Sequence, residues 1–159
     1  MRIRSIQPQD RTGLKALLQA QEHFRPEEID VALELIDIAL TQPGQEDYRL
    51  RVAEGPDGEV AGYVCYGKSP LTDAVYDIYW IVVHPAFGRR GVGSSLLRQA
   101  EADLKRLRAR LLLIETSSRP SYAIPRAFYQ KQGYQEQARV LDYYSVGDHK
   151  VIFGKTLTP

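Results

Sequence analysis

Residues 76–83 read Tyr-Asp-Ile-Tyr-Trp-Ile-Val-Val, an apolar and aromatic run with one acid and no Gly or Pro. That density of β-branched and aromatic residues predicts a strand. The absence of polar alternation beyond Asp77 predicts a central strand covered on both faces. His84-Pro85 ends it, because proline cannot donate to a sheet ladder. The period then changes. Val92, Leu96, Ala100, Leu104 and Leu107 recur every three or four residues and predict one apolar stripe on a long helix.

Similar patterns divide the rest of the chain. Residues 2–6 alternate as a first strand. Pro8-Gln9-Asp10 opens a helix with Leu14, Leu17 and Leu18 inward, and a second helix restarts at Pro26 with Ile29, Ala32, Leu33, Ile36 and Leu40 inward. Residues 48–53 and 60–66 predict strands joined by a turn at Gly55-Pro56-Asp57-Gly58. After the long helix, residues 111–116 predict a strand returning parallel to the central one. Residues 117–123 predict a polar loop, and 126–132 a short helix closed by Gly133. Residues 134–145 and 149–156 form a last hairpin around Gly147-Asp148. The fold class expected is α/β, with a mixed sheet in one domain over 1–159. Its order is strand, helix, helix, three antiparallel strands, helix, strand, helix, two strands.

Between the central strand and the long helix lies Gly88-Arg89-Arg90-Gly91-Val92-Gly93-Ser94-Ser95. A helix start offers backbone N–H groups without internal partners and a partial positive charge. Glycines let an anion approach closely, and two arginines add full charges, so the turn suits a phosphate or diphosphate. A P-loop would need Gly-Lys-Ser/Thr, and here the residues are Gly93-Ser94-Ser95. A dinucleotide fingerprint would need a third glycine where Leu96 stands. Glu115 falls where a ribose-binding acid would, but too little chain follows it for a doubly wound sheet.

Val83-His84-Pro85 through Arg89-Arg90-Gly91-Val92-Gly93 resembles the acyl-coenzyme A signature of the GNAT family of N-acetyltransferases. That pattern is Gln/Arg-x-x-Gly-x-Gly/Ala, and here Gly88 replaces its first residue. Ala127-Phe128-Tyr129-Gln130-Lys131-Gln132-Gly133-Tyr134 is similar to a second family motif. The resemblance covers residues 60–159 and implies a GNAT-type acyl-CoA N-acyltransferase fold using acetyl-CoA as cosubstrate. It implies that the backbone of Ile81, Val82 and Val83 lies along the pantetheine arm, with one N–H polarising the thioester carbonyl. It implies that Arg89, Arg90, Gly91, Val92, Gly93 and Ser94 hold the diphosphate.

Transfer of an acyl group to an amine also needs a base and a donor to the leaving thiolate. The resemblance implies Tyr129 as the donor. Asp77 matches by position the general-base glutamate of histone acetyltransferases, and Glu115 resembles the glutamate of ribosomal-protein N-terminal acetyltransferases. Both stay candidates. Tyr122 stands where the family often has an asparagine that meets coenzyme A. The family also implies that Phe24, Arg25, Glu27 and Glu28 overhang the acceptor, while Tyr143-Tyr144 would line its pocket or serve as cross-strand packing.

The expected activity is acetyl transfer from acetyl-CoA to a primary amine of a small molecule or peptide by direct attack in a ternary complex. The alternatives are a non-catalytic acyl-CoA-binding or regulatory module of the same fold, and a nucleotide-binding fold. Composition narrows the partners. The chain has 159 residues and a net charge of +1, which gives no bulk basis for a nucleic-acid partner. Its only cysteine, Cys65, predicts core packing. No apolar run approaches the ~18 residues of a membrane span, and Met1-Arg2-Ile3-Arg4 has no apolar signal region. A cytoplasmic protein is expected. His23, His84 and His149 have no metal-ligand spacing, so no metal is expected. The exposed edge of the C-terminal hairpin is where a second copy could pair as a homodimer.

Overall fold

The computed structural model of the chain describes residues 1–157. Residues 158 and 159, the last two of the domain expected over 1–159, lie outside the described residues. Seven strands and four helices follow in the expected order, and the strands run β1-β2-β3-β4-β5-β7-β6 in one mixed sheet. The chain gathers into two compact units whose boundary falls inside the central strand, β4 (Val75–Val83), between Tyr79 and Trp80.

The first unit holds β1 (Arg2–Ser5), α1 (Asp10–Gln19), α2 (Pro26–Thr41), β2 (Arg49–Glu54) and all but the last residue of β3 (Val60–Lys68). It also holds the second half of β4 and most of α3 (Val92–Arg106). β1 pairs antiparallel with β2 from Arg2↔Glu54 to Ser5↔Arg51, and β2 pairs antiparallel with β3. Leu14, Leu17 and Leu18 of α1 and Ala32 and Ile36 of α2 bury their side chains with Val52, Tyr63, Cys65 and Val82. This is the inward set that the helical spacing predicts. Cys65 packs in this core, and burial pushes its thiol up to about 12. α3 lies close to β3 at Gly62. A Cβ there would come within 2.8 Å of the Val82 carbonyl oxygen and 3.2 Å of Leu96 and Val92 side-chain carbons.

A buried carboxylate fixes α3 further along. Asp103 accepts from Arg51 Nε at 2.6 Å, from the Tyr66 hydroxyl at 2.7 Å and from Gln99 Nε2 at 3.0 Å. Burial alone would raise the Asp103 carboxyl, but these donors outweigh it and hold it below its ordinary value. Asp10 behaves alike at the start of α1. It is desolvated, yet Arg4 at 2.7 and 2.8 Å and the Gln7 N–H at 2.8 Å lower it.

The second unit holds the first half of β4, β5 (Leu111–Ser117), α4 (Ala123–Lys131), β6 (Gln135–Ser145) and β7 (Asp148–Thr156). The parallel ladder of β4 with β5 runs from Val75↔Leu111 to Ile78↔Ile114, and among the described residues it goes no further. β5 continues on its other edge, antiparallel to β7, as far as Ser117↔Lys150. β6 pairs with β7, and its register shifts between Val140 and Ser145, where Asp142 takes a positive φ of 55°.

Three expectations change. β4 is not covered throughout: Tyr79, the first residue beyond the parallel ladder, is 38% exposed. Leu107 is not on the buried stripe, because α3 ends at Arg106, and it is 41% exposed. The polar loop contains a 3-10 turn over Pro120–Tyr122, and α4 begins at Ala123 instead of Arg126. Pro125 falls in the first turn of α4, where a missing N–H breaks no helix bond.

Gly62→Ala should destabilise the protein by about 1–3 kcal/mol through overpacking against the Val82 carbonyl and Leu96. A lowered thermal midpoint checks this, and an unchanged midpoint would contradict it. Asp10 and Asp103 should make stability acid-sensitive. Their depressed carboxyls stabilise the fold above the unfolded value of roughly 3.9, and that contribution is lost as pH falls through their folded values. Urea midpoints across that range should fall, and less steeply in Asp103→Asn.

Candidate active site

The turn after β4 starts rigidly. Pro85–Phe87 form a 3-10 turn in which the His84 imidazole accepts from the Ala86 N–H at 3.2 Å. The Phe87 N–H then bonds the His84 carbonyl at 2.8 Å. Arg89 and Gly91 both take positive φ, 60° and 76°. For Arg89 that conformation costs roughly 1 kcal/mol, and it is the kind of local strain that functional turns hold. A Cβ at Gly91 would meet no described atom within 4 Å, so backbone conformation and not crowding favours glycine there. Left-handed residues within a turn can set successive N–H groups into a concave cradle that suits an anion.

α3 follows directly. Its Ser95 N–H bonds the Gly91 carbonyl at 3.0 Å. The amides of Gly91, Val92 and Gly93 precede the first carbonyl able to take them within the helix. Arg89, Arg90 and Gly91 are exposed, and the Arg90 guanidinium stacks 5.6 Å from the Phe87 ring centre. Val92 is buried, which anchors the helix start while the turn stays open. All six residues expected to hold a diphosphate thus lie in one continuous turn and helix start.

Just upstream, Val82 points into the core of the first unit, and Ile81 and Val83 are partly exposed. The Val83 carbonyl accepts from Gln21 Nε2 at 3.2 Å, and the His84 N–H bonds Ala61 O on β3 at 2.9 Å. Of the residues that the resemblance sets near an acceptor, Glu28 is committed to its own helix. Its carboxylate accepts the Arg25 N–H at 2.8 Å and caps α2, while Phe24 packs edge-on to Trp80 at 5.5 Å.

The carboxylates lie in the second unit. Asp77 pairs with Leu113 across the ladder, and Glu115 and Ser117 follow at the alternate positions of β5, with Ser117 opposite Lys150. Side chains alternate across a strand, so register puts Asp77, Glu115, Ser117 and Lys150 on one face. Asp77 is half-buried and accepts from the Ser69 hydroxyl. Burial raises its carboxyl above the ordinary range; the Ser69 bond opposes this, the Glu115 charge adds to it, and Lys150 offsets part. Glu115 is about half exposed and takes the Lys150 ammonium at 3.1 Å. That ammonium also sits 3.9 Å above the Tyr143 ring. Tyr144 meets Tyr143 edge-on at 5.0 Å, and burial raises its phenol, as does the Glu115 charge.

Tyr129 of α4 is 7% exposed and packs among Phe128, Tyr134 and Phe153, with ring centres 5.4, 6.3 and 6.0 Å away. Burial pushes its phenol upward, so it is protonated throughout the neutral range and able to donate. Ser69 and Lys150 carry no local signature. Ser69 sits in a loop, and Lys150 meets Glu115 only through the register of β5 with β7. Among the described residues, no group of His, Cys, Asp and Glu is arranged to hold a metal, and no helix is long and apolar enough to cross a membrane.

Comparison with known proteins agrees with this architecture. The model of the GNAT acetyltransferase domain matches residues 46–136, a span that contains Asp77, residues 81–83, the turn of residues 89–94, Glu115 and Tyr129. A protein of the GNAT family from Desulfovibrio desulfuricans is 35% identical over 99% of both chains, with a TM-score of 0.94. The ribosomal-protein-S18-alanine N-acetyltransferase of Escherichia coli shares the fold at 20% identity, over 99% of this chain and 94% of that one, with a TM-score of 0.78. An aminoglycoside 6'-N-acetyltransferase complexed with coenzyme A does so at 15% identity, over 100% and 98%, also at 0.78. No curated protein matches in sequence. The chain belongs to the GNAT family of acetyltransferases.

Carboxyl-detected NMR titration should place the Asp77 midpoint above the ordinary aspartate value, and Ser69→Ala should move it further up. A midpoint at or below the ordinary value would contradict the desolvated environment described for Asp77.

Proposed function

We propose that the protein is an acetyl-CoA-dependent N-acetyltransferase acting on a primary amine of a small molecule or peptide. Membership of a family that uses acetyl-CoA supports the cosubstrate. The observation that carries the proposal is the left-handed turn at Arg89 and Gly91, which leads directly into the start of α3 and carries two exposed arginines. Arg89, Arg90, Gly91, Val92, Gly93 and Ser94 would hold the diphosphate there. Backbone N–H groups among Ile81, Val82 and Val83 would follow the pantetheine arm, one of them polarising the thioester carbonyl.

The amine nitrogen attacks the thioester carbon, the new C–N bond forms and the C–S bond breaks. A carboxylate, Asp77 or Glu115, takes the amine proton directly or through water. The Tyr129 hydroxyl donates to the departing sulfur. Asp77 suits the base because desolvation has already raised its proton affinity towards the working range. Glu115 is held by Lys150. A cytoplasmic location, where acetyl-CoA is available, fits this activity. The second form of the proposal is an acyl-CoA-binding module without turnover, which the same turn would serve equally.

An amine-dependent thiol-release assay separates the two. The wild-type protein should release thiol with at least one acceptor from a panel of small amines, aminoglycosides and N-terminal peptides. Tyr129→Phe should lower kcat by roughly 10²-fold while leaving the KM for acetyl-CoA little changed. The rate should fall as pH drops through the raised Asp77 value, because the base must be ionised. Absence of thiol release with every acceptor, alongside calorimetric binding of coenzyme A, would instead establish the binding module. Preference for NAD over coenzyme A would reject both.

A further inference from the structure

The carboxylates of the second unit differ in what already neutralises them. Asp148 takes Arg119 Nε at 2.7 Å and the Ser117 hydroxyl. Asp142 takes the Gly147 N–H at 2.8 Å, and its own N–H donates to His149 Nδ1 at 2.9 Å. Glu115 takes Lys150 at 3.1 Å. Asp77 has only the Ser69 hydroxyl, and among the described residues no basic group lies within ion-pair distance of it.

Lys150 is itself seated as an alkylammonium ligand would be. Its nitrogen lies between a carboxylate oxygen and the face of Tyr143, 3.9 Å away, and its side chain is 13% exposed. A carboxylate plus an aromatic face is the usual recognition set for an amine cation. The sheet face therefore carries two places for a positive charge, one at Asp77 and one at Glu115 with Tyr143, and the chain fills the second itself.

We propose that Lys150 sets the acceptor specificity: by seating its ammonium on Glu115 and Tyr143 it leaves a single anionic group, Asp77, and so selects amines with one cationic centre over diamines and polyamines. This rests on the acetyltransferase proposal above. A second ammonium on the substrate would find Glu115 already paired and would meet the Lys150 charge, which costs where the equivalent attraction would otherwise help. The other groups facing this charge are Tyr143 and Tyr144 of β6 and Asp148 of β7, and the electrostatics of Tyr144 answer to Glu115, Lys150, Tyr143 and Asp148 together. None of them offers a free carboxylate.

The test compares n-butylamine with 1,4-diaminobutane, two acceptors of one chain length. The wild-type protein should favour the monoamine in kcat/KM. Lys150→Met, which keeps the aliphatic stem, should raise the diamine-to-monoamine ratio about tenfold through KM, the scale of one partly screened ion pair. Lys150→Arg should keep the wild-type ratio, and in calorimetric titration of 1,4-diaminobutane adding Glu115→Gln to Lys150→Met should abolish the gain in affinity. An unchanged ratio in Lys150→Met, or a wild-type preference for the diamine, would overturn the proposal. If neither amine is turned over, acetyl transfer to these acceptors fails, and binding decides the present point. Calorimetric titration of 1,4-diaminobutane should then be about tenfold tighter to Lys150→Met than to wild type, and equal affinities would overturn it.

Discussion

The parallel ladder of β4 on β5 stops at Ile78↔Ile114, although both strands continue. A strand edge that leaves its ladder keeps N–H and C=O groups that must find other partners. β5 remains tied to β7 as far as Ser117, and the His84 N–H after β4 remains tied to Ala61 on β3. The stretch that follows on β4 contains Ile81–Val83, and it leads within a few residues to the anion-fitting turn. A ligand with a long polar arm ending in a diphosphate matches that sequence of features.

The turn is only as useful as the helix behind it is fixed. Gly62 lets α3 approach β3 at its beginning, where Val92 and Leu96 meet the sheet. Asp103, with three donors, ties α3 near its other end to β2 and β3. Between these points the stripe of Leu96, Leu97 and Ala100 is buried. With N- and C-terminal parts both anchored, the helix start can hold Arg89 and Gly91 in left-handed conformations instead of relaxing them.

Much of this was legible in the chain because it depends on local pattern. The inward leucines of α1, the stripe of α3, the strand at 76–83 and the glycine–arginine turn each follow from spacing within a dozen residues. What was not legible depends on register. The end of the β4–β5 ladder, the exposure of Tyr79, and the meeting of Lys150 with Glu115 are set by how distant strands align. Glu28 was legible as a helix-start acid, and its carboxylate accepts the Arg25 N–H there. Pro125 hid the start of α4 because proline marks a loop and a first helical turn alike.

Family membership and fold agree on an acetyltransferase scaffold, and the turn opening α3 is where the proposed cosubstrate would place its diphosphate. Diffraction from crystals grown with acetyl-CoA tests that assignment most directly. Diphosphate density within hydrogen-bond distance of the main-chain N–H groups of residues 89–94, continuous with a pantetheine arm along 81–83, is the result predicted. Bound acetyl-CoA whose diphosphate lies elsewhere, or clear maps with that turn empty at saturating cosubstrate, would contradict it.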